Sequence, residues 1–312
     1  MGKGRMEIKD WMLKRVKQLK DENLVTLLCN VSSEHYEVRP WTALKLIAFS
    51  YWIELYAKIM RKQKSKGKFQ KIWYLDLLAG PGTNLLEDTG EVVMGSPIIA
   101  YYYSKKLFDK YVLIEMDKVR RDALEKRMKK LGVENVEVCC GDCNDVIKKL
   151  PFDQMDHFVA FVDCEGLDVY WDPTVIKLLR KRGDILVTFQ TMELNRTLGR
   201  AKRGFKDAEK LTAFLGNDHW RYTTNAEDLL QRYMNQLTEY RTFVDKMLIR
   251  GENFRYDLIL ACKKGPYIKA WHELKKKIER LTDKDVKTVL EVLSGKHKTL
   301  NDYHGQLTLT KF

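Results

Sequence analysis

Residues 74–84 read YLDLLAGPGTN, and the fold turns on how this stretch is understood. With Ile72 and Trp73 before it, its first half is an apolar run of strand length, and its second half is a turn built on Gly80, Pro81 and Gly82. A strand that ends at Asp76 and then turns on two glycines lets the backbone close around whatever sits at the strand tip. No Cβ blocks the approach there, and a positive φ is free. The turn lacks the Gly-Lys-Ser/Thr of a phosphate-cradling loop. It also lacks the third glycine of a dinucleotide fingerprint, Leu85 standing in its place.

Downstream, strand-like and helix-like segments alternate, the pattern of an α/β sheet. The sequence predicts strands over 72–78, 111–116, 135–139, 157–163 and 184–190, with helices over 97–108, 118–131, 144–150 and 173–182. A largely helical insertion fills 191–240. Two strands, 242–249 and 254–262, then flank the turn-like Gly251-Glu252-Asn253 as a terminal hairpin.

Upstream, helical spacing covers 5–20 and 41–62. In the second, Trp41, Leu44, Ala48, Trp52, Leu55 and Ile59 share a face, while Lys45, Glu54 and Lys58 mark it as an amphipathic helix of a soluble protein rather than a membrane span. The last fifty residues read as short, basic and helical. These segments divide the chain into an N-terminal helical part (1–70), a central α/β domain (71–265) and a basic helical extension (266–312).

The strand tips carry the chemistry. The first, with Asp76, Ala79, Gly80, Pro81 and Gly82, resembles the D-x-x-x-G-x-G motif of methyltransferases that use S-adenosylmethionine, where the turn wraps the amino-acid half of the cofactor and the acid lies near its ammonium group. Glu115, with Met116 beside it, ends the second strand, where a carboxylate can accept from both ribose hydroxyls. The spacing from Asp76 is long; the extra segment, 85–96, reads as a loop at the mouth of the site, and Gly95-Ser96-Pro97 as a helix start. After the third strand come Gly141, Asp142 and Cys143, the Asp suited to an adenine amino group. Cys140-x-x-Cys143 has no second Cys/His pair at zinc spacing, so no metal is expected, and Cys139 and Cys140 read as small buried apolar groups.

The fourth strand ends in FVDCEGLDVYW, 161–171. Enzymes that methylate exocyclic amines of bases carry Asp or Asn, two prolines and an aromatic here. A carboxylate accepts the amine's N–H bonds and an aromatic side chain stacks on the base. Asp163 fits the first role and either Tyr170 or Trp171 the second, while Cys164 and Glu165 stand where the prolines would be. Cys164 also raises a competing route, attack on a pyrimidine ring carbon, although the Pro-Cys context of such nucleophiles is absent.

The chain resembles the three-Cys-motif partner protein family over roughly residues 40–275. The likeness is carried by Trp41-Thr42, YLDLLAGPGTN, Gly95-Ser96-Pro97, LIEMD (113–117), the FVD-x-x-G run ending at Gly166 and YDLILACKKGP (256–266). It implies a Rossmann-like class I methyltransferase sheet, mostly parallel with an antiparallel last strand. It also implies S-adenosylmethionine as cofactor, contacted by Asp76, Gly80, Gly82, Glu115 and Asp142, and it names no substrate.

The partner is read from charge. There are 56 Lys and Arg against 43 Asp and Glu, a formal net charge of +13 that favours an anionic partner. Residues 61–71 hold six basic side chains and no acid. Arg196, Arg200, Lys202, Arg203 and Lys206 form a second concentration after the fifth strand, and Arg180-Lys181-Arg182 a third. Nucleic acid follows as the expected partner, RNA before DNA. The expected activity is methylation of an exocyclic base amine, of cytidine before adenosine, in ribosomal or transfer RNA. The alternatives are a DNA amino-methyltransferase of a defence system and a non-catalytic accessory protein that binds nucleic acid. An N-terminus without a signal-peptide core and six cysteines expected to be reduced thiols point to the cytoplasm.

Overall fold

The computed structural model describes residues 2–87, 89–164, 166–204 and 207–295, with side chains from Asp10 onward. Among the described residues there are ten strands: β1 (Tyr36–Val38), β2 (Ile72–Asp76), β3 (Thr83–Leu86), β4 (Val92–Met94), β5 (Lys110–Glu115), β6 (Val136–Cys140), β7 (His157–Val162), β8 (Gly183–Phe189), β9 (Phe243–Gly251) and β10 (Phe254–Cys262). Seven form one sheet in the order β6-β5-β2-β7-β8-β10-β9. β5, β6, β2, β7 and β8 run parallel, and β10 is antiparallel to both β8 and β9.

The apolar runs explain the layering. Every residue of β2, β7 and β8 is buried, as expected of parallel strands covered on both faces, whereas edge strand β6 has no fully buried residue. One face packs under the helices Thr42–Lys64, Ser96–Ser104 and Ile268–Ile278, with Phe49, Trp52, Tyr74, Phe161 and Trp271 in a common core. The other packs under Cys143–Lys149, Ile176–Leu179, Thr191–Lys202 and Ala226–Thr238, with Leu75, Val162, Phe189 and Tyr233. Winding leaves β2 in one direction for β5 and β6, then returns on its other side for β7 and β8. The switch therefore falls at the tips of β2 and β7, where sheets of this kind open a crevice.

The structure adds to and corrects the sequence reading in four places. The helix Glu22–Val31, N-capped by Asp21, was not foreseen. The helix Thr42–Lys64 is not amphipathic: thirteen of its residues, Lys45 among them, are buried. The segment 85–96 is no loop. Most of it lies in a hairpin, β3 with β4, and β1 adds to β3 in parallel to make a three-stranded sheet over the β2 tip. The helix expected over 173–182 is present but begins as a π-helical stretch, Trp171–Val175, that runs into Ile176–Leu179, and it ends three residues early.

Other expected elements are present, while residues 296–312 of the expected basic extension lie outside the described residues. The insertion contains Thr191–Lys202, Asp207–Leu215 and Ala226–Thr238, the terminal hairpin forms with Gly251 paired to Phe254, and Ile268–Ile278 and Asp283–Leu293 close the described chain. Among the described residues, no helix is long and apolar enough to cross a membrane.

Candidate active site

A cleft of about 310 Å³ opens at the tips of β2, β5, β6 and β7. Of the residues singled out in the sequence, it brings together Ala79, Gly80, Glu115, Met116, Gly141, Asp142, Cys143, Asp163 and Tyr170.

The floor is the turn after β2. Gly80 and Gly82 take φ of +61° and +88°, conformations that a side chain would strain, and a Cβ on Gly95 would sit 2.9 Å from the Gly82 carbonyl carbon. The Gly95 amide donates to the Gly82 carbonyl at 2.8 Å, so the start of β3 and the end of β4 clamp the turn. Pro81 and Gly82 are buried behind the lining rather than in it. Arg127, fully buried, holds this turn from below. It donates to the carbonyls of Pro81 (2.7 Å), Ser32 (2.6 Å) and Leu28 (3.1 Å).

Asp76 lies beneath the floor with no exposed surface. The Tyr74 hydroxyl donates to its Oδ2 at 2.8 Å. Its Oδ1 makes no well-formed hydrogen bond among the described residues, although the Ser96 hydroxyl and Leu78 amide lie close enough to favour its charge. Burial pushes this carboxyl up to about 7, held back by Ser96 and Tyr74 and raised further by the negative charge of Asp163.

Glu115 reaches back across the cleft. Its Oε2 accepts from the Gly80 amide and its Oε1 from the Asp117 amide, both at 2.9 Å, leaving further lone pairs toward the cleft. Asp142 N-caps the helix Cys143–Lys149 through Oδ1 and is otherwise exposed. Cys139 is half-buried and Cys140 exposed, against the expectation of burial, because β6 is the sheet edge; Cys143 is buried and its thiol is pushed up to about 12.

At the β7 tip the sequence reading is sharpened and partly overturned. Asp163 faces the cleft but is bonded at 2.6 Å to Lys45, which is only 6% exposed. Tyr170 lines the cleft; Trp171 is buried edge-on against Tyr233 at 5.3 Å, so of the two aromatics only Tyr170 can meet a ligand there. Cys164 is 1% exposed in the core on the helical-insertion side, and burial drives its thiol pKa far up, with Asp163 adding to the rise. A nucleophile needs an accessible thiolate, and Cys164 offers neither access nor charge. Glu165 and Lys206 lie outside the described residues.

Two residues that the sequence did not single out organise this tip. The Asn144 side-chain amide donates to Asp142 Oδ1 (2.8 Å) and to the Asp168 carbonyl (2.7 Å), while its oxygen accepts from the Tyr170 amide (2.9 Å) and the Thr174 hydroxyl (2.6 Å). Gln190, at the end of β8, donates to the Cys164 carbonyl at 2.8 Å. Asn144→Leu leaves buried polar groups unpaired on both sides, with an expected cost of about 2–4 kcal/mol in urea unfolding. A loss under about 1 kcal/mol would show that the loop holds itself without Asn144.

Arg196, Arg200, Lys202 and Arg203 lie on or just after the helix Thr191–Lys202, away from the cleft floor. Most of their charge is met locally: Arg196 by Glu193 at 3.4 Å, Arg200 by Asp207 at 3.0 Å, and Lys202 by the Thr223 carbonyl. Among the described residues no group of three or more His, Cys, Asp and Glu side chains could hold a metal ion.

Strand order, the antiparallel β10 and a cleft at the switch point define a Rossmann-like class I methyltransferase fold. No family model matches the sequence, and no curated protein matches it. Among solved structures, the protein LPL1258 of Legionella pneumophila is similar at 13% identity over 74% of this chain and 90% of that one, with a TM-score of 0.45. The O-methyltransferase TomG of Streptomyces achromogenes, solved with S-adenosylmethionine, is similar at 15% identity over 69% and 79%, with a TM-score of 0.40. Cofactor-bound Rv0187 from MTB gives 15% over 73% and 92%, with a TM-score of 0.39.

Proposed function

We propose that this chain is an S-adenosylmethionine-dependent methyltransferase acting on the exocyclic amine of a base in structured RNA, cytidine before adenosine. The observation that carries the reading is the gathering of Asp76, Glu115, Asp142 and Asp163 at or beneath one cleft, around a turn that only glycine backbone can make. The residues fit the cofactor. Asp76 has an orphaned buried oxygen suited to an ammonium group, Glu115 retains lone pairs for ribose hydroxyls, and Asp142 presents an exposed carboxylate for an adenine amine. When bound, the cofactor supplies an electrophilic methyl on a sulfonium.

The remaining side of the cleft serves the acceptor. An amine conjugated to a base ring is a weak nucleophile, and a carboxylate that accepts its N–H bond localises the lone pair on nitrogen. Asp163 stands at this side, held and oriented by Lys45, and Tyr170 lines the cleft beside it, within reach of a base. The formal charge of +13 supports a polyanionic substrate. The family likeness seen in the sequence agrees with the cofactor and is silent on the base.

Incubation with labelled S-adenosylmethionine and either total RNA or duplex DNA, followed by mass analysis of the nucleosides, tests the reading. A methylated amine in RNA supports it; methylated DNA moves the substrate, and no labelled product with intact cofactor binding leaves an accessory protein. Cofactor affinity is expected to depend on pH through Asp76. Its carboxyl is raised to about 7, so below that pH an incoming ammonium must displace a proton, and affinity rises with pH up to about 7 and then levels off. Calorimetry in two buffers of different ionisation enthalpy at about pH 6 should register the released proton, and a flat profile would remove Asp76 from the cofactor site.

A further inference from the structure

A second chamber, of about 190 Å³, lies between the turn 166–168 and the helix Thr191–Lys202. Among the described residues, Asp168 alone lines both this chamber and the cleft. Its backbone is fixed, because the Asn144 amide holds its carbonyl at 2.7 Å. Its carboxylate makes no hydrogen bond or ion pair among the described residues. The contrast with Asp163 is sharp, since Lys45 already claims one oxygen of that carboxylate.

The chamber is polarised. Its buried wall carries Leu194 and Thr197, while exposed Arg200 and Lys210 stand at the solvent edge. Arg200 is shared with Asp207 at 3.0 Å and Glu193 at 3.9 Å, so the mouth is not a strong anion trap. A small planar ring fits such a space if it turns a hydrogen-bond donor toward Asp168 and leaves any phosphate outside.

We propose that this chamber receives the ring of the acceptor base while its amine lies at the threshold of the cleft, one N–H turned toward Asp163 and the other accepted by Asp168. The proposal rests on the methyltransferase reading and assigns the recognition of the acceptor to a residue beyond the β7 tip. Asp168 contacts the acceptor; Asn144, acting through it, is a positioning residue.

Binding of free nucleosides, measured by saturation-transfer NMR on the full chain with and without S-adenosylhomocysteine, tests this without turnover. Cytidine and adenosine are expected to show transfer. Uridine, with a carbonyl where cytidine has its amine, should bind about tenfold more weakly, because its acceptor would face a carboxylate. Asp168→Asn should erase the cytidine-over-uridine preference. Thr197→Trp should fill the chamber and abolish transfer from all three, with S-adenosylhomocysteine affinity held within about threefold as the check on folding. Equal binding of uridine and cytidine, an unchanged preference in D168N, or full nucleoside binding in T197W would overturn the proposal. Failure of S-adenosylhomocysteine to bind the unaltered protein would defeat the cofactor reading instead, and the nucleoside result without it still decides the chamber.

Discussion

Asp163→Ala is expected to lower the unfolding free energy by about 3–5 kcal/mol, because it strands the Lys45 ammonium in a site that is nearly closed to water. The pair need not stabilise the fold in net terms, since desolvating two charges offsets most of their attraction. A double replacement, Lys45→Met with Asp163→Leu, is therefore expected to return to within about 1–2 kcal/mol of the parent in urea unfolding. On the proposed reading it should nevertheless show no methyl transfer, because the carboxylate is gone. A double variant as unstable as the single one would mean that the pair does more than neutralise itself. An Asp163→Ala protein that melts with the parent would mean that Lys45 finds water.

Arg127→Ala should be comparably damaging for a different reason. The guanidinium has no carboxylate partner in the described structure. Burial pulls its pKa down, and it survives by donating to three carbonyls drawn from the helix Glu22–Val31, the residue after it and the glycine turn. Truncation removes all three bonds and leaves a cavity, an expected loss of about 3–5 kcal/mol. Because the Pro81 carbonyl is one of the three, affinity for S-adenosylmethionine should fall by about tenfold in the same variant. Arg127→Lys should recover less than half of the stability, since one ammonium cannot span the three acceptors of a planar fork. Full recovery by lysine would reduce the role of Arg127 to charge alone.

The parts of the molecule that could be read from the chain are those governed by local pattern. Apolar runs ending in Asp76, Glu115 and Asp163 gave the parallel strands, and the glycine turn identified the strand that faces the cleft. What escaped was set by long-range packing. Lys45 reads as the polar face of an amphipathic helix, yet the helix is covered by the sheet on one side and by the terminal helices on the other, and the lysine finds its partner 118 positions away. Nothing local marks Asn144, an ordinary polar residue in the first turn of a helix, as the fastener of a loop far downstream. Between Tyr170 and Trp171 the choice depended on Gly216 and Tyr233 in the insertion: the space over Gly216 is filled by the Trp171 ring. The hairpin over 83–94 was invisible because its pairing partner, β1, precedes it by more than forty positions, and a short strand has too little periodicity to declare itself.

That parallel pairing of Tyr36–Val38 with Asn84–Leu86 couples the early part of the chain to the glycine turn, since β3 begins immediately after Gly82. Anything that quiets the turn must also quiet the strand hydrogen-bonded to it. The amides of the β1 ladder, at the cleft wall that Tyr36 and Val38 help to line, thus become a gauge of its occupancy. Their hydrogen exchange should slow in step with cofactor saturation, turning a segment that does no chemistry into the most convenient place to watch the site fill.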